Sequence, residues 1–116
     1  MNRHRIFDIP LADIYPLYLT KVTKKGRSEA ELTEVINWLT GLGDGDLARH
    51  LEARTTLEDF FASVDLNPNA SLITGSICGY RVQDIEDPLM QKIRYLDKLV
   101  DELAKGRPME KILRVG

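Results

Sequence analysis

The stretch Cys78-Gly79-Tyr80-Arg81, with Asp84 shortly after, puts a thiol, a phenol, a guanidinium and a carboxylate close together. A thiol beside an arginine can act as a nucleophile or redox group, because a nearby cation favours the thiolate. However, no histidine stands at a spacing that would make a Cys-His pair, and a cysteine between Ile77 and Gly79 also reads as a small buried hydrophobe. Gly79, Tyr80, Arg81 and Asp84 form the candidate ligand-binding group. They place glycine, arginine and carboxylate where no regular element demands them, as functional loops do. Asp84, Glu86 and Asp87 are an oxygen-rich cluster of the kind hard cations use, but their spacing is not that of a calcium loop, and Asp87 is better used as a helix cap. His4 and His50 have no partner at helical spacing. Lys24-Lys25-Gly26-Arg27 could hold phosphate ahead of a helix start, yet no P-loop pattern occurs. No metal site and no cofactor are expected from these patterns; they assign no catalytic residue, which is left unknown, and whether the chain is an enzyme is left open.

The elements that would carry these residues are helical. Asp13 can cap a helix over about 14–25, with Pro16 in its first turn, where a missing N–H costs nothing. Leu11, Ile14, Tyr15, Tyr18 and Val22 form one apolar stripe, and Gly26 supplies the stop. Ser28 and Glu31 make a capping box for a helix over 29–40, ended by Gly41. Asp44 or Asp46 opens a short helix through about residue 54. Thr55 and Glu58 offer a second capping box for a helix over 56–64. Asp87-Pro88 starts the longest element, 88–105, whose stripe is Leu89, Ile93, Leu96, Val100 and Leu103 with Leu99 widening it. Its outer face is expected to pair Arg94 with Asp97, Lys98 with Asp101 and Glu102, and Asp101 with Lys105, as solvated surface. Pro108 opens a last short helix carrying Met109, Ile112 and Leu113.

Residues 65–86 are ambiguous. A short helix 69–74 stopped by Gly75 and followed by a loop is preferred. A hairpin near 72–82, turning at Gly75-Ser76, is the alternative. The expected fold is therefore a single all-α domain over 1–116, a compact bundle of five or six short helices around 88–105. The minor alternative is α+β with that one hairpin. The expected core is Ile14, Tyr18, Leu32, Val35, Ile36, Leu39, Leu51, Phe60, Leu72, Leu89, Ile93, Leu96, Val100 and Leu103, with Trp38 and Phe61 finishing it or forming a patch.

A chain of 116 residues is a one-domain length that buries about two-thirds of its unfolded surface. One cysteine excludes an internal disulfide framework. No apolar run approaches the roughly 20 residues of a membrane span. The basic start is followed by Asp8, Pro10 and Asp13, so no signal-peptide core develops, and a cytoplasmic location without membrane attachment is expected. The net charge of -2 conceals three blocks. Residues 1–27 carry six bases against two acids, 28–87 three against twelve, and 88–116 seven against four. The two basic ends either fold onto the acidic middle, which is preferred, or form a basic face.

Specific pieces of the chain resemble a bacterial family known as domain of unknown function 2200. They are His4-Arg5-Ile6, Tyr15-Pro16-Leu17-Tyr18, Lys25-Gly26-Arg27, Trp38-Leu39-Thr40-Gly41, Phe60-Phe61, and Leu72-Ile73 with Gly75. The longest runs from Cys78-Gly79-Tyr80-Arg81 through Asp87-Pro88 and Lys105-Gly106 to Leu113. The resemblance implies a compact, mainly helical domain and no particular reaction. Three functional classes follow. The first is a non-enzymatic interaction module with a protein partner, a second copy of the chain included. The second is a ligand-binding protein or enzyme with its site at Gly79–Asp84. The third, disfavoured by a pI near 5.7, is weak nucleic-acid binding through Arg3, Arg5, Lys21, Lys24, Lys25 and Arg27. A DNA-reading helix within 46–64 is rejected, because the candidate residues Leu57-Glu58-Asp59-Phe60-Phe61 are acidic and apolar.

Overall fold

Helix α1 spans Leu11–Thr23 and begins earlier than an Asp13 cap would allow. The reason is tertiary. The Leu11 N–H donates to Thr55 O at 2.8 Å, and the Leu57 N–H donates to Ile9 O at 2.9 Å. This antiparallel bridge between Pro10 and Thr56 fixes the chain one residue before the helix. Pro16 consequently lies inside α1, not in its first turn. Asp13 is left on the surface, where it takes Arg54 at 2.9 Å. This is a computed structural model of the chain, and it describes residues 5–43, 45–77 and 79–115. The readings made above for Arg3, His4, Asp44 and Cys78 lie outside those residues.

Helix α2, Glu29–Thr40, matches its capping box. The Ser28 hydroxyl accepts from the Glu31 N–H at 3.1 Å, and Glu31 Oε1 accepts from the Ser28 N–H at 2.9 Å. Helix α3 is Asp46–Glu52, and α4 is Leu57–Ala62. The α4 cap is Thr56, one residue later than expected, whose side chain accepts from the Asp59 N–H. Helix α5 runs Pro88–Ala104, with Asp87 Oδ1 accepting from the Leu89 and Met90 N–H groups at 3.0 and 3.2 Å. Helix α6 is Met109–Ile112.

Between α4 and α5 the ambiguous stretch contains both alternatives in reduced form. A 3-10 helix covers Pro68–Leu72, and a two-residue antiparallel ribbon pairs β1, Ser76–Ile77, with β2, Tyr80–Arg81. The register is Ser76 opposite Arg81 and Ile77 opposite Tyr80, so the ribbon does not turn at Gly75-Ser76. The whole is a mainly helical domain with six α-helices among the described residues.

The core gathers around α5, which packs against α1, α2, α4 and α6. Tyr18, Leu32, Val35, Ile36, Leu39, Phe60, Ile93, Leu96, Val100 and Leu103 are buried as expected, and Phe61 with them. Leu72 is not: it is 44% exposed, and its neighbour Ile73 is the buried residue. The tight 3-10 turn rotates these side chains by about a third of a turn per residue, so a helix of ordinary pitch picks the wrong one. Ile14, Trp38, Leu51 and Leu89 are half-buried against the core. Phe7, Leu11, Leu47, Leu57, Val82, Met90, Tyr95 and Ile112 add to it beyond the expected set.

The outer face of α5 is only partly the solvated surface expected. Arg94 pairs with Asp97 at 2.7 Å and Lys105 with Asp101 at 3.0 Å. Lys98 instead donates to Ser76 O at 3.2 Å. Glu102 is 4% exposed, and its Oε2 takes Arg114 at 2.7 Å and Arg107 at 3.0 Å. The C-terminal segment folds back over this face, so bases distant in sequence replaced the local partner.

A candidate binding cleft beside the ribbon

The four singled-out residues, Gly79, Tyr80, Arg81 and Asp84, stand together on one cleft of about 610 Å3. Its remaining wall comes from Ile85, Glu86 and Asp87 and from Met90 and Arg94 of α5. The ribbon supplies one side. It is held there by backbone and side-chain bonds that reach α5. The Val82 N–H donates to Gly75 O at 2.9 Å, Gln91 Nε2 donates to Val82 O at 3.1 Å, and the Lys98 ammonium holds Ser76 O. Gly75 has φ +109, and a Cβ there would meet Lys98 Cε at 3.1 Å. The positive φ is what calls for glycine there, since the end of the Lys98 side chain can shift by a few tenths of an ångström. Gly79 has φ +83 with open space around it, so its role is the left-handed turn of the ribbon and not contact with a neighbour.

Charge in the cleft is mostly paired. Arg81 Nε lies 3.4 Å from Asp84 Oδ2, and both side chains are largely in water. An exposed pair of this kind contributes about 0–1 kcal/mol, so a ligand can displace it. Arg94 is far better enclosed. Its Nη1 donates to Asp97 Oδ2 at 2.7 Å, and the other oxygen of Asp97 accepts from the Tyr18 hydroxyl of α1 in a short hydrogen bond. One carboxylate thus ties a guanidinium of the cleft wall to α1. Asp87 caps α5, and Glu86 sits exposed on the rim. The lining carries two bases and three acids, which leaves it negative. Tyr80 is 59% exposed, and Ile85 and Met90 give the lining its aliphatic part.

Sequence reasoning found the ribbon side and missed Ile85, Met90 and Arg94. The signal was present: Asp87, Met90 and Arg94 are spaced three and four apart and so share one face of α5. The other candidates resolve into structure. His50 Nδ1 lies 3.1 Å from Thr55 Oγ1, and its ring meets Phe60 edge-on at 5.1 Å. Arg27 pairs with Glu31 at 3.1 Å, and the start of α2 that could have met phosphate is filled by its own capping box. No group of three or more metal-ligating side chains gathers among the described residues. No described helix is long and apolar enough to cross a membrane.

Comparison with known proteins agrees with the resemblance in the sequence. No curated protein matches the chain. A crystal structure titled uncharacterized protein SP1917 is similar at 39% identity and TM-score 0.89, covering 97% of this chain and 93% of that one. A family model described as an uncharacterized protein conserved in bacteria, DUF2200, matches residues 5–114. The chain belongs to that family.

Proposed function

We propose that the protein is a non-enzymatic interaction module that engages a protein partner through the ribbon–α5 cleft. The observation that carries this reading is the convergence of Gly79, Tyr80, Arg81 and Asp84 on a cleft of about 610 Å3, within the range of about 300–1,000 Å3 usual for ligand sites. The lining favours binding over turnover. Its acids and bases other than the exposed Glu86 are paired or engaged in capping, and no nucleophile stands beside a base among the described lining residues. An exposed tyrosine on the rim is the residue type that anchors partners, since it offers area with little side-chain entropy to lose. The negative balance selects an occupant that presents a basic side chain next to an apolar one. The base would meet Glu86 and Asp84, and the apolar group Ile85 and Met90.

The test is an NMR titration of the full chain with a short peptide alternating leucine and arginine. A matched peptide with glutamate in place of arginine serves as control. The basic peptide should give saturable shifts at Gly79–Asp84 and Met90, weakened by added salt and by Tyr80→Ala. Equal or better binding of the acidic peptide, or an affinity untouched by Tyr80→Ala, overturns the reading. Sedimentation without peptide separates a second copy of the chain from other partners. A dimer that dissociates in Tyr80→Ala places the second copy in this cleft.

A further inference from the structure

Helix α1 packs on α5, α2 and α3 and leaves one side in water. Leu17 is 64% exposed on that side. Lys21 and Lys24, both exposed, follow it at intervals of four and three residues, so the three share one outer face. Over these two turns, about 10 Å long, the face reads apolar and then basic. Asp13, one turn before Leu17, is taken by Arg54 at 2.9 Å. Lys21 reaches Asp101 at 3.3 Å with its side chain still 46% exposed. An exposed leucine is ordinary by itself. Here its neighbours match a site on the same molecule: the ribbon cleft, whose acids Asp84 and Glu86 stand beside the aliphatic Ile85 and Met90.

The face and the cleft are neighbours. Tyr18, next to Leu17, donates to Asp97 of α5, and the other oxygen of Asp97 takes Arg94 of the cleft wall. Two complementary surfaces close together on one molecule can both be satisfied across a twofold axis, each copy giving its face to the other's cleft. Charge along the molecule has the matching sense. Tyr18 with Asp97 and Lys21 with Asp101 set α1 and α5 in the same direction. The start of α5 carries the exposed acids Asp84, Glu86 and Asp87. About 25 Å further on, its end carries the exposed bases Lys105 and Arg107, on the same side as Lys24 and Lys25 at the end of α1. An antiparallel second copy sets each basic end against an acidic one, whereas a parallel copy sets like against like.

We infer that the occupant of the ribbon cleft is a second copy of this chain, laid antiparallel, with its Leu17 against Ile85 and Met90 and its Lys21 and Lys24 towards Glu86 and Asp84. This rests on the reading of the cleft as a protein-docking site. The twofold arrangement closes on itself, so the product is a dimer and not a growing chain.

The test is sedimentation of the full chain across a concentration series, with amide NMR at the same concentrations. A reversible dimer weakened by salt is expected, with shifts on dilution at residues 17–24 and 79–90 together. Leu17→Ser and Lys24→Glu, both on exposed side chains, should each weaken the dimer about ten-fold with the fold intact. Glu86→Lys should weaken it likewise, and Lys24→Glu combined with Glu86→Lys should recover most of the loss, because the two sides of the contact are then reversed together. A strictly monomeric chain, species larger than a dimer, a dimer indifferent to Leu17→Ser, or a charge swap without recovery would each overturn the inference. The leucine–arginine peptide keeps the two readings apart. Peptide bound at residues 79–84 by a chain that never dimerises overturns the second copy and leaves the cleft reading standing. Failure of the peptide to bind a monomeric Leu17→Ser chain overturns the cleft reading itself.

Discussion

Tyr15 shows how one side chain reports its surroundings. Burial first, then the hydrogen bond to Glu29 and its charge, together push the phenol up to about 12 against an opposing hydrogen bond from Thr33. The neutral form is the one the folded protein holds. An unfolded tyrosine ionises near 10, so on raising the pH the unfolded chain loses its proton first. The stability this group contributes is therefore complete below pH 10 and is lost between pH 10 and about 12. Tyr15→Phe should remove that part of the alkaline slope in a urea-denaturation series. It should also cost about 0.5–1.5 kcal/mol near neutrality for the hydrogen bond given up. An unchanged alkaline slope would mean that the phenol is not held as described.

At the scale of elements, the short helix α6 is too small to stand alone, since isolated helices below about 12 residues are marginal in water. It is held by Ile112 in the core and by Glu102 of α5, which takes Arg107 and Arg114 on one oxygen. The Arg114 carbonyl in turn accepts from Asn69 Nδ2 at 3.1 Å, tying in the 3-10 helix. Glu102→Ala would leave a largely enclosed guanidinium without its carboxylate. The expected cost is about 3 kcal/mol, the figure for breaking a buried pair from one side. Hydrogen exchange should quicken in α6 before the rest of the molecule loosens. Uniform loss of protection would instead make Glu102 part of the general core. This clamp was not legible in the sequence, because every pairing inferred there was between residues three or four apart. Local signals were read well: Ser28 with Glu31, Asp87 with Pro88, and the stripe of α5 each depend on neighbours alone. Where tertiary bonds set the outcome, the sequence misled. Thr55 and Ile9 moved the start of α1, the 3-10 turn exchanged Leu72 for Ile73, and Lys98 left its helix partner for the ribbon. The cleft was half legible for the same reason. The glycine-rich ribbon declares itself, whereas Arg94 has the look of ordinary helix surface until the ribbon is folded beside it.

The whole molecule is organised by α1 and α5 running in the same direction. Tyr18 faces Asp97, and one turn on Lys21 faces Asp101 at 3.3 Å. Both helices thus end at the same side, which brings basic residues from the two ends of the chain, Lys21 and Lys105, onto one carboxylate. Burial alone would raise Asp101, yet the hydrogen bonds and charges of Lys105 and Lys21 prevail and hold it below the usual carboxylate range. Folding the basic ends onto the acidic middle is realised only in part, by Arg27 with Glu31; Arg54 of the middle with Asp13 of the basic start is a pair of the opposite sense. The basic segments also meet each other through Asp101. Because α5 touches α1, α2, α4 and α6, its buried stripe is shared by every layer. Leu96 is fully buried at the middle of that stripe. Leu96→Ala should cost about 2–5 kcal/mol through lost burial and the cavity left behind. The loss should be global, because helices that share one small core unfold as one unit. Amide protection should then fall by the same free energy in α1, α2 and α5, with a single denaturation transition seen by fluorescence and by circular dichroism. Protection retained in α1 and α2 while α5 alone loosened, or two separated transitions, would show that the helices fold as independent layers around α5 and not as one cooperative core.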